Sequence, residues 1–298
     1  LKGELCRSIT PDGLELQGFL SSPEDGAPKG AILHIHGLAG NFYENRFIDS
    51  VANTVVASGR AFLAANTRGH DYLSDFISER PDGTKEYKQI GAIHEIFEEC
   101  LEDIEAWIAH LRSRGMRSII LQGHSHGALK VTHYLHRKAG PEVTGLILLS
   151  PSDDFGCQRS RLGVKFDEAI EVARAMVVEG RGADLMPAQY FHYPVSARTY
   201  LDIFDDGSKH RSFNLSRTDS GEFPELRQIR VPVLAIVGSV EEAFLGTPER
   251  YISLMEAELQ NAPNFTGKVI HGAPHNYLDY ENEVARHIGE WLGSGVVV

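Results

Sequence analysis

An α/β fold is what this sequence predicts: a mostly parallel central sheet flanked by helices, with a largely helical insertion. Three observations carry that expectation. Short, nearly continuous apolar runs alternate with segments of helical periodicity, the pattern of parallel strands covered on both faces. One such run, 118–122, leads through Gly123-His124-Ser125-His126-Gly127 straight into a helical segment that opens Ala128-Leu129-Lys130-Val131. The alternation then stops between about 152 and 228 before resuming.

The elements follow in order. Segments 5–10 and 14–21 read as a hairpin turning at Pro11-Asp12-Gly13. The apolar run 31–36 is a buried strand, 44–58 a helix closed by Gly59, and 61–66 a second buried strand. Residues 68–90 are polar and glycine-bearing and read as an excursion from the alternating pattern. The stretch 93–114 predicts a long amphipathic helix, since Ile96, Phe97, Leu101, Ile104, Trp107, Ile108 and Leu111 recur at three- and four-residue steps. After the 118–122 strand and its helix comes a buried strand at 145–149. Beyond the interruption, strands are expected at 231–237 and 267–271 and helices at 248–259 and 281–292, with a frayed tail at Gly293-Ser294-Gly295. The domain reading is therefore a core in two parts, 1–151 and 229–298, and a cap of 152–228 between them.

Bulk properties exclude several classes. A net charge of −12, with Lys and Arg spread thinly, argues against nucleic acid and anionic membrane surfaces as partners. The longest apolar runs are strand-sized, so no membrane span is expected. Cys6, Cys100 and Cys157 are odd in number and far apart, which fits no disulfide or metal framework. No secretory leader is legible, and a reducing, cytoplasmic location is the expectation. The sequence leaves the oligomeric state open.

Ser125 is the candidate nucleophile. A serine held between strand and helix on a strained backbone projects its hydroxyl, and flanking glycines let the two elements approach closely. A serine hydroxyl also needs a base. On two motifs, this elbow and His36-Gly37-Leu38-Ala39-Gly40 after the 31–36 strand, the chain resembles the α/β-hydrolase superfamily, over nearly its whole length outside the cap. The resemblance implies an α/β-hydrolase fold and an oxyanion hole formed by the backbone N–H groups of Leu38 and His126. It places the catalytic base at His275, in the loop between the last strand and the last helix. The acid falls after the strand that follows the cap, at Glu241 or the adjacent Glu242. In some members it sits at the end of the preceding strand, here Asp153 or Asp154.

The reaction so implied is hydrolysis of an ester, thioester or amide in a small-molecule acyl or aryl substrate, with no cofactor. The same residues serve acyl transfer, cyclisation or carbon–carbon cleavage, and a non-catalytic binder is a third class. A metal site is not expected: His34 and His36 are read as sharing a strand face, but no carboxylate stands at ligand spacing. Arg68 reads as tying its loop to a neighbour. Phe155, Met176, Met186, Tyr190 and Phe191 of the cap are candidates for a substrate pocket.

Overall fold

All residues of the strands Ala31–Ile35, Ala61–Ala65 and Ile119–His124 are buried, because helices cover both faces of the sheet they build. The computed structural model describes residues 2–79, 82–138, 140–205, 207–208, 212–213 and 223–297. Its elements in chain order are β1 (Glu4–Ile9), β2 (Glu15–Ser21), β3 (Ala31–Ile35), α1 (Phe47–Ala57), β4 (Ala61–Ala65), β5 (Ser74–Glu79), β6 (Lys85–Ile90), α2 (Cys100–Ser113), β7 (Ile119–His124), α3 (His126–Arg137), β8 (Val143–Leu149), α4 (Asp154–Leu162), α5 (Lys165–Val178), α6 (Ala197–Phe204), α7 (Pro224–Arg227), β9 (Val233–Val240), α8 (Pro248–Glu258), β10 (Phe265–Pro274) and α9 (Glu281–Gly293).

The main sheet has the order β1-β2-β4-β3-β7-β8-β9-β10. β1 pairs with β2, and β2 with β4, antiparallel; the remaining pairs are parallel. One face packs on α1 and α9 through Phe47, Ile120, Ile236 and Trp291. The other packs on α2, α3 and α8 through Trp107, Leu121, Leu129 and Met255. Helices α4, α5 and α6 carry a third apolar cluster of their own. This is the α/β-hydrolase arrangement, with a helical insertion between β8 and β9. Residues 206, 209–211 and 214–222 of the expected cap lie outside the described residues.

Several elements depart from expectation. The 68–90 excursion contains the antiparallel pair β5–β6. Its alternation is weak because much of it is exposed, including Ile77 and Tyr87, which pair across the strands. The helix expected from 93 begins only with a 3-10 turn at Phe97–Glu99. The apolar side chains before it are present, but the backbone is engaged elsewhere: Ile93 O accepts from Ser196 N at 2.8 Å, and Phe97 N donates to Asp202 at 2.7 Å. Residues 293–295 of the tail are exposed, and beyond them Val297 is buried against the sheet. His34 and His36 do not share a face. The strand ends at Ile35; His34 packs on Phe47 and Phe62, whereas His36 turns to Thr67.

Arg68 does tie its loop. Only 4% of its side chain is exposed, and it grips the fully buried Asp103 through Nε at 3.0 Å and Nη2 at 2.9 Å. A second carboxylate, Asp12, accepts from both terminal nitrogens at 3.1 Å. Burial pushes the Asp103 carboxyl up, and Arg68 opposes that push. Arg68→Met is therefore expected to destabilise the fold by about 3–5 kcal/mol, the cost of leaving one member of a buried pair uncompensated. Urea unfolding checks this, and a wild-type midpoint would show the pair to be dispensable.

Candidate active site

Between β7 and α3 there is a turn of one residue. Ser125 adopts φ 55° and ψ −126°, a conformation costly for a residue with a Cβ. Its N–H donates to Leu149 O of β8 at 2.9 Å, and its carbonyl receives Ala128 N at 2.9 Å. The two flanking glycines are sterically required: a Cβ on Gly123 would lie 2.3 Å from Gly127 O, and one on Gly127 would lie 2.3 Å from Ile35 O. The loop after β3 approaches equally closely, since a Cβ on Gly37 would stand 3.1 Å from the Ser125 Cβ and 3.5 Å from its Oγ. Leu38 follows, and among the described residues its N–H has no hydrogen-bond acceptor.

β9 and β10 bring two more side chains to the same end of the sheet. His275 Nδ1 lies 2.5 Å from Glu241 Oε1. The Glu241 side chain is 1% exposed, and that of His275 is 33% exposed. Glu241 Oε1 also accepts the backbone N–H groups of Glu242 and Ala243, at 3.2 and 3.3 Å, so the carboxylate is oriented by its own loop. The other three acids are placed differently. Glu242 is exposed. Asp153 caps α4, accepting Gly156 N at 2.9 Å. Asp154 meets His126 Nδ1 at 3.0 Å.

One contact was not anticipated from the sequence. His124 Nε2 donates to the backbone carbonyl of His275 at 2.9 Å, so the strand that ends at Ser125 also holds the His275 loop. Burial, with His275 adding to it, keeps the His124 imidazole well below its usual pKa and therefore neutral. Tyr277, at φ 56°, fixes the far side of that loop through hydroxyl contacts to Ile236 O at 2.7 Å and Ser150 Oγ at 2.8 Å.

Ser125, His275, Leu38, His126, Asp154 and Glu242 all line one cavity of about 610 Å³. Of the five cap residues singled out as pocket candidates, Phe191 lines it. Phe155, Met176, Met186 and Tyr190 pack within the insertion's own cluster. Among the described residues, the largest apolar side chains of α4–α6 bury one another. The wall that does face Ser125 is mixed. One stripe of α4, formed by Asp154, Cys157, Gln158 and Arg161, runs along it at helical spacing. Ile203, Phe204 and Tyr193 supply apolar surface. The spacing of that stripe, at steps of three and four residues, is its only signal in the sequence. Burial pushes the Cys157 thiol up to about 12, so it stays protonated.

Comparison with known proteins agrees with this architecture. Residues 26–165 match the family model Hydrolase_4, described as serine aminopeptidase, S33. No curated protein matches. Among solved structures, Est1E from Butyrivibrio proteoclasticus bound to ferulic acid is similar at 20% identity and a TM-score of 0.67, covering 98% of this chain and 99% of that one. The siderophore hydrolase EstB from Aspergillus fumigatus aligns at 14% identity and a TM-score of 0.71, over 99% and 97%. The Pyrococcus furiosus esterase PF2001 aligns at 17% identity and a TM-score of 0.63, over 98% and 91%. Identities this low establish a shared fold. Among the described residues no helix is long and apolar enough to cross a membrane.

The buried histidines around the elbow make stability depend on pH. Desolvation holds His34 down to about 3, and burial holds His36 and His124 well below 6.5. In the unfolded chain each titrates near its ordinary value of about 6.5. Above that pH neither state binds the proton, and the stability is fully present. As pH falls through 6.5 towards the folded values, only the unfolded chain gains protons, and each histidine removes about 1.4 kcal/mol per pH unit. Urea midpoints should therefore fall between pH 7 and 5, and His34→Gln should flatten that dependence by about one proton. An unchanged slope in the variant would refute the assignment.

Proposed function

We propose that this chain, a member of the α/β-hydrolase superfamily by its fold, is a serine hydrolase that cleaves an ester, thioester or amide through an acyl-enzyme on Ser125. The observation that carries the reading is the Glu241–His275 pair at 2.5 Å, opening onto the same cavity as a strained, glycine-flanked serine. Glu241 is the acid. It orients the imidazole and stabilises its charged form, leaving Nε2 to take the Ser125 proton. The N–H groups of Leu38 and His126 receive the oxyanion. His275 then protonates the leaving group, and a water deprotonated by the same imidazole releases the acyl group.

The likeness to esterases supports an ester as the first bond to test, in a small-molecule acyl or aryl substrate. The cavity volume of about 610 Å³ suits a compact substrate. Asp154 and His126, bonded to each other, are wall residues in this reading, and Cys157 is a spectator.

Ser125→Ala should lower turnover of an aryl ester by roughly three orders of magnitude or more with folding unchanged. Substantial residual activity would remove the proposal. Glu241→Gln should cost turnover by roughly a thousandfold or more, whereas Asp153→Asn should leave turnover unchanged, since asparagine caps a helix about as well as aspartate. The opposite pattern would move the acid to the end of β8. Replacing Phe191 by Ala should reorder acyl-group preference by about 1–3 kcal/mol, which a graded substrate series reads directly.

A further inference from the structure

Lys130 is fully buried in α3, and the reaction just proposed gives it no task. Its Nζ lies 2.5 Å from Glu95 Oε1, whose side chain is 3% exposed. Charges held this far from water are costly unless paired and hydrogen-bonded. The same Nζ donates to Thr67 Oγ1 at 3.2 Å. Thr67 in turn meets His36 Nε2 twice, through Oγ1 at 3.1 Å and through its backbone N–H at 3.0 Å. The ring's other nitrogen, Nδ1, lies 2.7 Å from Gly37 O.

The directions of these bonds are forced. An ammonium has only donors, so Thr67 Oγ1 accepts from Lys130 and its own hydrogen is turned to His36. A backbone N–H can only donate, so Nε2 is the unprotonated nitrogen. Nδ1 therefore carries the hydrogen and donates to the Gly37 carbonyl. Burial, and then the charge of Lys130, hold this imidazole well below its usual pKa, so it keeps that one tautomer. Gly40 N donates to the same carbonyl at 3.1 Å. The Gly37 carbonyl and the Leu38 N–H belong to one peptide plane, and in a trans peptide they point in opposite directions. Holding the carbonyl on His36 turns the Leu38 N–H away from that ring. With the plane reversed, a carbonyl oxygen would point where that N–H now does, and two oxygens would repel as negative charge developed.

We infer that Lys130, Thr67 and His36 are positioning residues for the Gly37–Leu38 peptide, acting through one directed hydrogen-bond chain anchored on the buried Lys130–Glu95 ion pair. The inference rests on the serine-hydrolase reading, in which that peptide supplies an oxyanion donor. None of the three touches substrate. Their effect is confined to the transition state, because only then does the carbonyl oxygen of the substrate carry charge.

Thr67→Val keeps shape and removes the relay hydroxyl. It should lower kcat on an aryl ester by about tenfold, less than outright loss of an oxyanion donor, with KM within about twofold. It should weaken inhibition by an aryl trifluoromethyl ketone, whose serine adduct carries the oxyanion, by the same factor. Thr67→Ser should recover most of that loss. The double variant Lys130→Met/Glu95→Gln removes both buried charges together and should show the same kcat and inhibitor pattern, which keeps the test open if Thr67→Val fails to fold. Wild-type kcat in the variants overturns the inference, as does a kcat loss with unchanged ketone inhibition. Labelling of wild-type Ser125 by a fluorophosphonate separates the two readings. Without labelling, the hydrolase reading falls and takes this inference with it; with labelling and indifferent variants, this inference falls alone.

Discussion

The geometry of this protein hangs on how closely three backbones meet at Ser125. β3, β7 and α3 come together where a methyl group on Gly123 or Gly127 would overlap a carbonyl oxygen at 2.3 Å. That approach leaves no room for a loop, so strand gives way to helix through one residue in a strained conformation. The strain persists because both peptide groups of the serine are held, one by β8 and one by the first turn of α3. Once the elbow is fixed, the neighbouring strand ends are fixed with it. The loop after β3 lies against the serine, and those after β9 and β10 carry Glu241 and His275.

Much of this was legible because it is local or positional. The elbow shows in five consecutive residues, and buried parallel strands show as short apolar runs. Glu241 was readable as one of several carboxylates following strand ends. What singles it out in space is its loop, whose amides at Glu242 and Ala243 turn the carboxylate towards His275. Asp153 stood as an alternative at the end of the preceding strand, but its side chain is taken by the N-terminus of α4. No rule of sequence spacing reveals which of two such acids is already occupied.

The unread parts share one physical origin, which is competition from distant segments. Ile93 and Ile96 fit a helical pattern, yet their backbone is drawn to Ser196 and the neighbouring turn. The β5–β6 pair is not legible in the sequence because its exposed, charged alternation resembles a solvated loop. Aromatic residues suit a pocket, but Phe155 and Tyr190 are used first to build the insertion's own core. The Lys130–Thr67–His36 chain joins residues drawn from α3 and from the ends of two strands, and nothing short of the fold brings them together.

Asp153 carries a consequence for exchanging parts between proteins. Its side chain starts α4, while its own N–H donates to Ala243 O at 2.6 Å, in the loop that bears Glu241. One turn on, Cys157 Sγ reaches Glu242 O at 3.5 Å. The first helix of the insertion is thus laced to the loop that bears Glu241. The chain is next free to change direction at Gly163, whose φ of 54° breaks the helix. A graft that imports a foreign roof should therefore splice after Gly163, leaving α4 with its host. A junction at Pro151 would swap out the scaffolding that keeps Glu241 in line.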